Sequence, residues 1–246
     1  MGKGHGQALF EIATSAPEES VIGPEGIYLL DSFQSAPEVA VESWRYTYLK
    51  RLIDFLGATI LIVILAIPGV LISAAILLTS GGPVFYREER IGRNGRRFRI
   101  WKFRSMRPSA VRRSRILEGH SDTNVLEWRM KKHLPDPRIT PIGRILRNWS
   151  LDELPQLINI FRGEMSLIGP RPIVQSETKY YGDLLPFYLA ASPGLSGLWQ
   201  VSGRSNIDYE KRARLDATYV QSWSLRADFL ILLRTIPAVL GRVGAA

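Results

Sequence analysis

Between Asp54 and Arg87 the chain carries no charged side chain, and the apolar run inside that interval, Phe55 to Thr79, holds a single proline, Pro68, near its middle. As a straight helix such a run would extend about 37 Å, enough for a ~30 Å hydrocarbon core, so a membrane protein is expected. Pro68 removes a backbone donor and crowds the preceding turn, which places a bend there. A kinked span and a bent, re-entrant hairpin both tolerate such a proline. Arg45, Lys50 and Arg51 precede the run and Arg87, Arg90 and Arg93 follow it. Basic residues on both sides give both flanks a cytoplasmic character. The run lies far from Met1 and its core is too long for a cleaved signal, so the anchor is expected to stay.

The remainder looks water-facing. Its apolar content suits one packed domain, and the formal charge of +9 with a pI near 10.0 asks for an anionic partner: nucleic acid, acidic lipid or a phosphorylated substrate. The absence of cysteine excludes a disulfide framework, a thiolate nucleophile and a Cys-based zinc site. His5, His120 and His133 show no paired ligand spacing. The expected division is a flexible tail over 1–43, a membrane helix over 44–80 and a catalytic domain over 81–246.

Asn94-Gly95 is a strong turn signal between Val84-Phe85-Tyr86 and Phe98 to Phe103, which predicts a β-hairpin. A helix is expected over roughly Arg112 to Lys132, a short amphipathic one over Ile142 to Arg147, and another whose apolar face runs from Leu151 to Phe161 and stops at Gly163. Gly163 to Gly203 looks like a loop, and Tyr209 to Ser222 and Leu225 to Val239 look like two helices.

From Arg87 to Arg115 there are eleven Arg and one Lys against two Glu. Beside a membrane segment, lipid headgroups are the default partner of such a block, and a membrane-tethered module without catalytic activity would explain it. Lys102 and Arg104 share a parity on the second hairpin strand, so one face offers two cations for phosphate or for solvent. Asp152-Glu153 is the sharpest candidate. Ser150 with Glu153 fits a capping box, whereas a catalytic use needs different roles for two side chains about 100° apart on a helix. Either way Asp152 lies at a helix N-terminus, which favours an ionised carboxylate or a phosphoryl group beside it. Arg171, between Pro170 and Pro172, is rigidly aimed and suits phosphate. Gly194, Gly197, Trp199, Gly203 and Arg204 form a loop able to cradle a nucleotide or sugar. Asp216 and Asp228 are further acidic candidates, with plain surface charge as the alternative.

Several motifs in one order then align. Lys50-Arg51-Leu52-Ile53-Asp54, Lys102-Phe103-Arg104-Ser105-Met106, Asp136-Pro137-Arg138, Ser150-Leu151-Asp152-Glu153-Leu154-Pro155-Gln156, Gly169-Pro170-Arg171-Pro172 and Gly194-Leu195-Ser196-Gly197-Leu198-Trp199-Gln200 resemble those of the monotopic bacterial polyprenyl-phosphate phosphoglycosyl transferases. The ending Tyr219 to Ser224 looks most like exopolysaccharide galactose-1-phosphate transferases. The resemblance implies an α+β, mostly helical fold: a monotopic membrane protein with a re-entrant membrane helix bent at Pro68 and amphipathic interface helices around a small β-hairpin. It implies that Asp152 attacks the sugar-linked phosphate of a UDP-sugar, releasing UMP, and that undecaprenyl phosphate then takes the phosphosugar. It implies Mg²⁺ held by Glu153 with Asp152, and places Lys102, Arg171, Asp228 and Asp216 near the site. The implied partners are UDP-sugar, undecaprenyl phosphate and membrane lipids, without nucleic acid; a homo-oligomer is left open. The implied location is the cytoplasmic face of the bacterial inner membrane. Where many members carry serine before the proline, this chain has Ile67, so the break rests on Pro68 and Gly69.

Overall fold

The structure, a computed structural model, describes residues 41, 43–107, 138–202 and 208–241. The tail up to residue 40, the helix expected over Arg112 to Lys132, the three histidines, Asp136, Gly203 and Arg204 lie outside the described residues.

A turn of π-helix, Arg45–Lys50, runs into α1, Arg51–Ile64, and after Leu65 the chain resumes as α2, Ala66–Ser80. The two halves are bent by 59°. The break falls at Leu65 (φ −91°, ψ 5°), three residues ahead of the expected position, and Pro68 sits in the first turn of α2. Proline disturbs the helix on its N-terminal side, because its ring opposes the carbonyl four residues back and its nitrogen offers that carbonyl no donor. The bend therefore precedes its cause. Among the described residues no single helix is long and apolar enough to cross a membrane, whereas the bent pair has the length and composition together.

One flank of this pair is packed and the other is bare. Ala58 joins Phe98, Ile100, Leu157, Ile160 and Met165, while Ile76 joins Phe103 and Leu146, and both are fully buried. Burying a side chain the size of Ile76 contributes about 1.5–3 kcal/mol. On the opposite flank Ile67 is 74% exposed and Leu78 88%.

The hairpin pairs β1, Phe85–Ile91, with β2, Arg97–Phe103, in antiparallel register from Phe85 opposite Phe103 to Ile91 opposite Arg97. Asn94 (φ 57°) and Gly95 (φ 73°) take the left-handed backbone that the turn needs. Strand β1 is longer than expected and absorbs Arg87 to Arg90, so part of the arginine block is sheet. Next come α3, Pro141–Asn148, a 3₁₀ turn over Leu151–Gln156, and α4, Leu157–Arg162, which Gly163 ends at φ 83°.

The stretch expected as a loop holds structure of its own. Strands β3, Ser166–Ile168, and β4, Gly194–Ser196, pair in parallel. Between them lie a 3₁₀ segment, Gln175–Tyr180, and α5, Leu185–Ala190. After the short α6, Leu198–Val201, two longer helices close the fold, α7 at Tyr209–Gln221 and α8 at Leu225–Leu240. The architecture is mostly helical around a small hairpin. Val41, expected in a loose tail, is fully buried with Tyr46, Val220 and Trp223.

Gly143 shows how closely α3 approaches the strand exit. A Cβ built on Gly143 would lie 2.0 Å from the Ser105 carbonyl oxygen, a backbone atom that cannot swing aside. Gly143→Ala is expected to lower stability by roughly 2 kcal/mol or more, measured by thermal unfolding of the detergent-solubilised protein.

Candidate active site

The dyad turn is built by an unusual local backbone. Ser150 adopts φ 55°, ψ 20°, and its side chain caps nothing. The capping box is not formed, and the Glu153 carboxylate instead meets Lys102, with Nζ to Oε1 at 2.7 Å. Asp152 and Glu153 occupy the first turn of the 3₁₀ segment, both half-buried.

The hairpin is stitched to this unit by fully buried Asn159. Its Oδ1 accepts from the Trp101 amide at 3.0 Å and its Nδ2 donates to the Arg99 carbonyl at 2.9 Å, on either side of Ile100. Lys102 therefore projects from a strand whose register against α4 is fixed. Arg147 comes from α3, and its Nε donates to Ser105 Oγ at 2.9 Å.

These charges push the two carboxyls apart. Burial raises Asp152 to about 6; Lys102 and Arg147 pull against that rise, and the neighbouring Glu153 charge adds to it. Burial opposes ionisation of Glu153 as well, but Lys102 and Arg171 outweigh it and hold its carboxyl below the ordinary value. Adjacent acids driven in opposite directions are how one site obtains two different roles from the same chemistry. Among the described residues no cluster of three or more acidic or histidine side chains forms a metal cage. Two carboxylates, one kept ionised, still fit Mg²⁺, which retains several waters and takes one or two carboxylates together with substrate phosphates.

Arg171 is aimed by its surroundings. The Gly194 amide donates to the Pro170 carbonyl at 2.7 Å and the Gly169 amide to the Ser196 carbonyl at 2.9 Å. On Gly194 a Cβ would fall 2.1 Å from the Gly169 nitrogen. Gly194 thus serves close packing beneath the Pro-Arg-Pro turn, a different use from the expected nucleotide cradle. On the other side the Ile91 amide donates to the Ile173 carbonyl at 2.9 Å, and Arg90 Nη1 donates to the Pro172 carbonyl at 3.1 Å. Arg171 itself lies with its guanidinium carbon 5.5 Å from the centre of the Trp199 ring.

The other candidates separate. Asp216 is buried, accepts from Tyr181 Oη at 2.8 Å and is raised by burial to about 7, with Arg171 and Arg212 in its field. It stands behind Arg171. Asp228 accepts from Lys50 at 2.6 Å, Tyr219 Oη at 2.7 Å and Trp223 Nε1 at 3.0 Å. Its oxygens are engaged at the root of the bent helix pair, which joins α8 to the start of α1. Arg104 is 3% exposed and donates through Nη2 to the Ser80 carbonyl and hydroxyl, both at 2.8 Å, and to the Gly81 carbonyl. Lys102, in β2, and Arg104, just past its exit, thus reach different partners, Glu153 and the end of α2.

Sequence reasoning missed Arg147, Asn159 and Glu177. Glu177 accepts from Tyr209 Oη at 2.5 Å and the Val174 amide at 2.9 Å, and Arg171 and Arg90 help hold it ionised against burial. Their spacing in the sequence carries no signal, because each reaches its partner from another element.

With this geometry in view, the chain matches the bacterial sugar transferase family over residues 45–242. It is 46% identical over 194 residues to the exopolysaccharide production protein ExoY of Rhizobium meliloti, covering 77% of this chain and 84% of that one. Against the undecaprenyl-phosphate galactose phosphotransferase of Salmonella typhimurium it is 44% identical over 199 residues, 80% of this chain and 42% of the relative. Against the UDP-glucose:undecaprenyl-phosphate glucose-1-phosphate transferase of Caulobacter vibrioides it is 39% identical over 212 residues, 83% and 72% of the two chains. The chain belongs to the bacterial sugar transferase family and is a phosphoglycosyl transferase.

Proposed function

We propose that this protein transfers a sugar 1-phosphate from a UDP-sugar, UDP-galactose or UDP-glucose, to undecaprenyl phosphate, as the first membrane step of exopolysaccharide synthesis. The divergence of the two adjacent carboxyls, with Lys102 fixed on Glu153, is the observation that carries this reading. An Asp152 oxygen attacks the sugar-linked phosphorus. The bond from that phosphorus to the bridging oxygen breaks, and the oxygen leaves with UMP. A phosphate oxygen of the lipid then attacks the same phosphorus, forming the diphosphate and returning Asp152 to its carboxylate. Arg171 and Lys102 offset the charge that would otherwise repel the attacking anion. Mg²⁺, held by Glu153 with Asp152, would add charge neutralisation on the phosphate oxygens.

The reading sets the bent helix pair into the cytoplasmic leaflet as a re-entrant anchor. Its bare apolar flank supports this, as do Phe229, Leu232, Leu233 and Ile236, exposed at helical spacing along α8. A leaflet-bound acceptor would then meet the dyad at the membrane surface.

The test is exchange of labelled UMP into UDP-sugar without lipid. A covalent intermediate requires exchange; its absence in the active enzyme favours a single-step transfer. The pH dependence follows from the raised Asp152 pKa. Below about 6 the nucleophile is protonated, so exchange should fall there, roughly tenfold per pH unit, and level off above. A rate unchanged between pH 5 and 7, measured in the same assay, would contradict Asp152 as the titrating group.

A further inference from the structure

Each half of the membrane helix is tied to the dyad unit by an arginine that closes a helix C-terminus. From the start of α1, Arg51 donates through Nη1 to the Ile160 carbonyl at 2.6 Å and through Nη2 to the Phe161 carbonyl at 2.7 Å, at the end of α4, the helix that follows the dyad turn. From the exit of β2, Arg104 donates to Ser80 and Gly81 at the end of α2. A guanidinium placed there adds donors to the carbonyls at a helix end, of which Ile160 also accepts from the Gly163 amide, and meets the negative end of the helix dipole.

The two ties form a closed circuit. Three consecutive residues complete it: Lys102 holds Glu153, Phe103 packs between Ile76 of α2 and Leu146 with Leu151 and Leu154 around the dyad turn, and Arg104 grips the end of α2. Arg104 Nε and Nη1 are buried with no hydrogen-bond partner among the described residues. Burying donors unmet is unfavourable, so an arginine here is a costly choice for local stability alone.

We infer that Arg104 is a positioning residue that fixes the height and tilt of the Asp152-Glu153 dyad relative to the membrane anchor, and thereby governs use of the lipid acceptor rather than of the water-soluble donor. The inference rests on the two-step reading above. A donor arriving from solution reaches the dyad at any tilt of the domain. The phosphate of an acceptor confined to the leaflet comes from one plane only, and a displacement of about 1 Å is enough to slow a reaction by as much as 10²-fold.

The experiment compares wild type, Arg104→Gln, Arg104→Lys and Ser80→Ala as full chains in nanodiscs, with UDP-galactose or UDP-glucose, whichever the wild type uses, as donor and undecaprenyl phosphate as acceptor. Arg104→Gln is expected to lower kcat/KM for the lipid about tenfold or more while kcat/KM for the donor and UMP exchange stay within about twofold. Arg104→Lys keeps the charge but not the fork, so an intermediate loss confined to the lipid is expected. Equal losses toward both substrates would overturn the inference. Should Arg104→Gln fail to fold, Arg104→Lys and Ser80→Ala decide: wild-type lipid kinetics in both would overturn it. Failure of the two-step reading appears separately, as absent exchange in the wild type, and the lipid KM of the variants then remains the readout.

Discussion

Asp152→Asn is expected to give a folded protein that neither turns over nor acquires labelled phosphosugar. The substitution keeps shape and removes the attacking charge, and loss of a covalent nucleophile leaves only positioning and electrostatics; turnover should fall by about 10³-fold or more. Two measurements check it: release of UMP, and label retained on denatured protein after incubation with sugar-labelled UDP-sugar. Normal labelling in the variant would move the nucleophile elsewhere. Stability should go the other way. A folded-state pKa raised to about 6 means that the folded protein binds this proton more tightly than the unfolded chain. Its ionisation therefore costs stability as pH rises from the unfolded value through about 6, and asparagine removes that cost. Thermal unfolding at pH 8 should thus be unchanged or higher in Asp152→Asn, which separates a chemical loss from a folding loss.

Lys102→Met should have the second largest effect. The ammonium 2.7 Å from Glu153 is the strongest cation acting on either carboxyl. Without it both acids titrate higher, and the proton that must leave Asp152 is held more firmly. We expect about a 10²-fold fall in kcat and a midpoint of UMP exchange displaced upward from the wild-type value. A pH–rate profile of exchange measures both. Arg in place of Lys restores charge but brings a wider, planar group on a different stem, so partial recovery is expected. A reduced rate with an unmoved midpoint would make Lys102 a substrate contact alone.

The sequence carried some of this arrangement directly and hid the rest for physical reasons. The Asn94-Gly95 turn was legible because only a few residue types accept its backbone, and α7 and α8 because periodicity and caps agree; Asp208 and Ser224 each accept the backbone hydrogen bond that their positions suggest. The bend was legible from Pro68, though its location at Leu65 requires knowing that proline acts on the preceding turn. The pair β3–β4 was not legible, because three-residue strands have no period to detect and their partners are remote in sequence. The capping box failed for a related reason: the motif is local, but Glu153 is claimed by Lys102 from another element. Arg51 looked like ordinary interfacial charge, and only the tertiary fold brings it to the carbonyls that end α4.

Ser150 holds the left-handed backbone of the dyad turn. A non-glycine residue at φ 55° sits in a conformation disfavoured by about 1 kcal/mol or more relative to the common helical region. Local preference and global fold disagree at this residue, two positions before Asp152. Such frustration is tolerated where the surroundings over-determine the backbone, here through the buried contacts of Leu157 and Ile160 downstream and Leu146 upstream. The direction in which the dyad faces is therefore imposed from outside the turn, so substitutions in the supporting core have a route to reaction geometry without touching a charged residue.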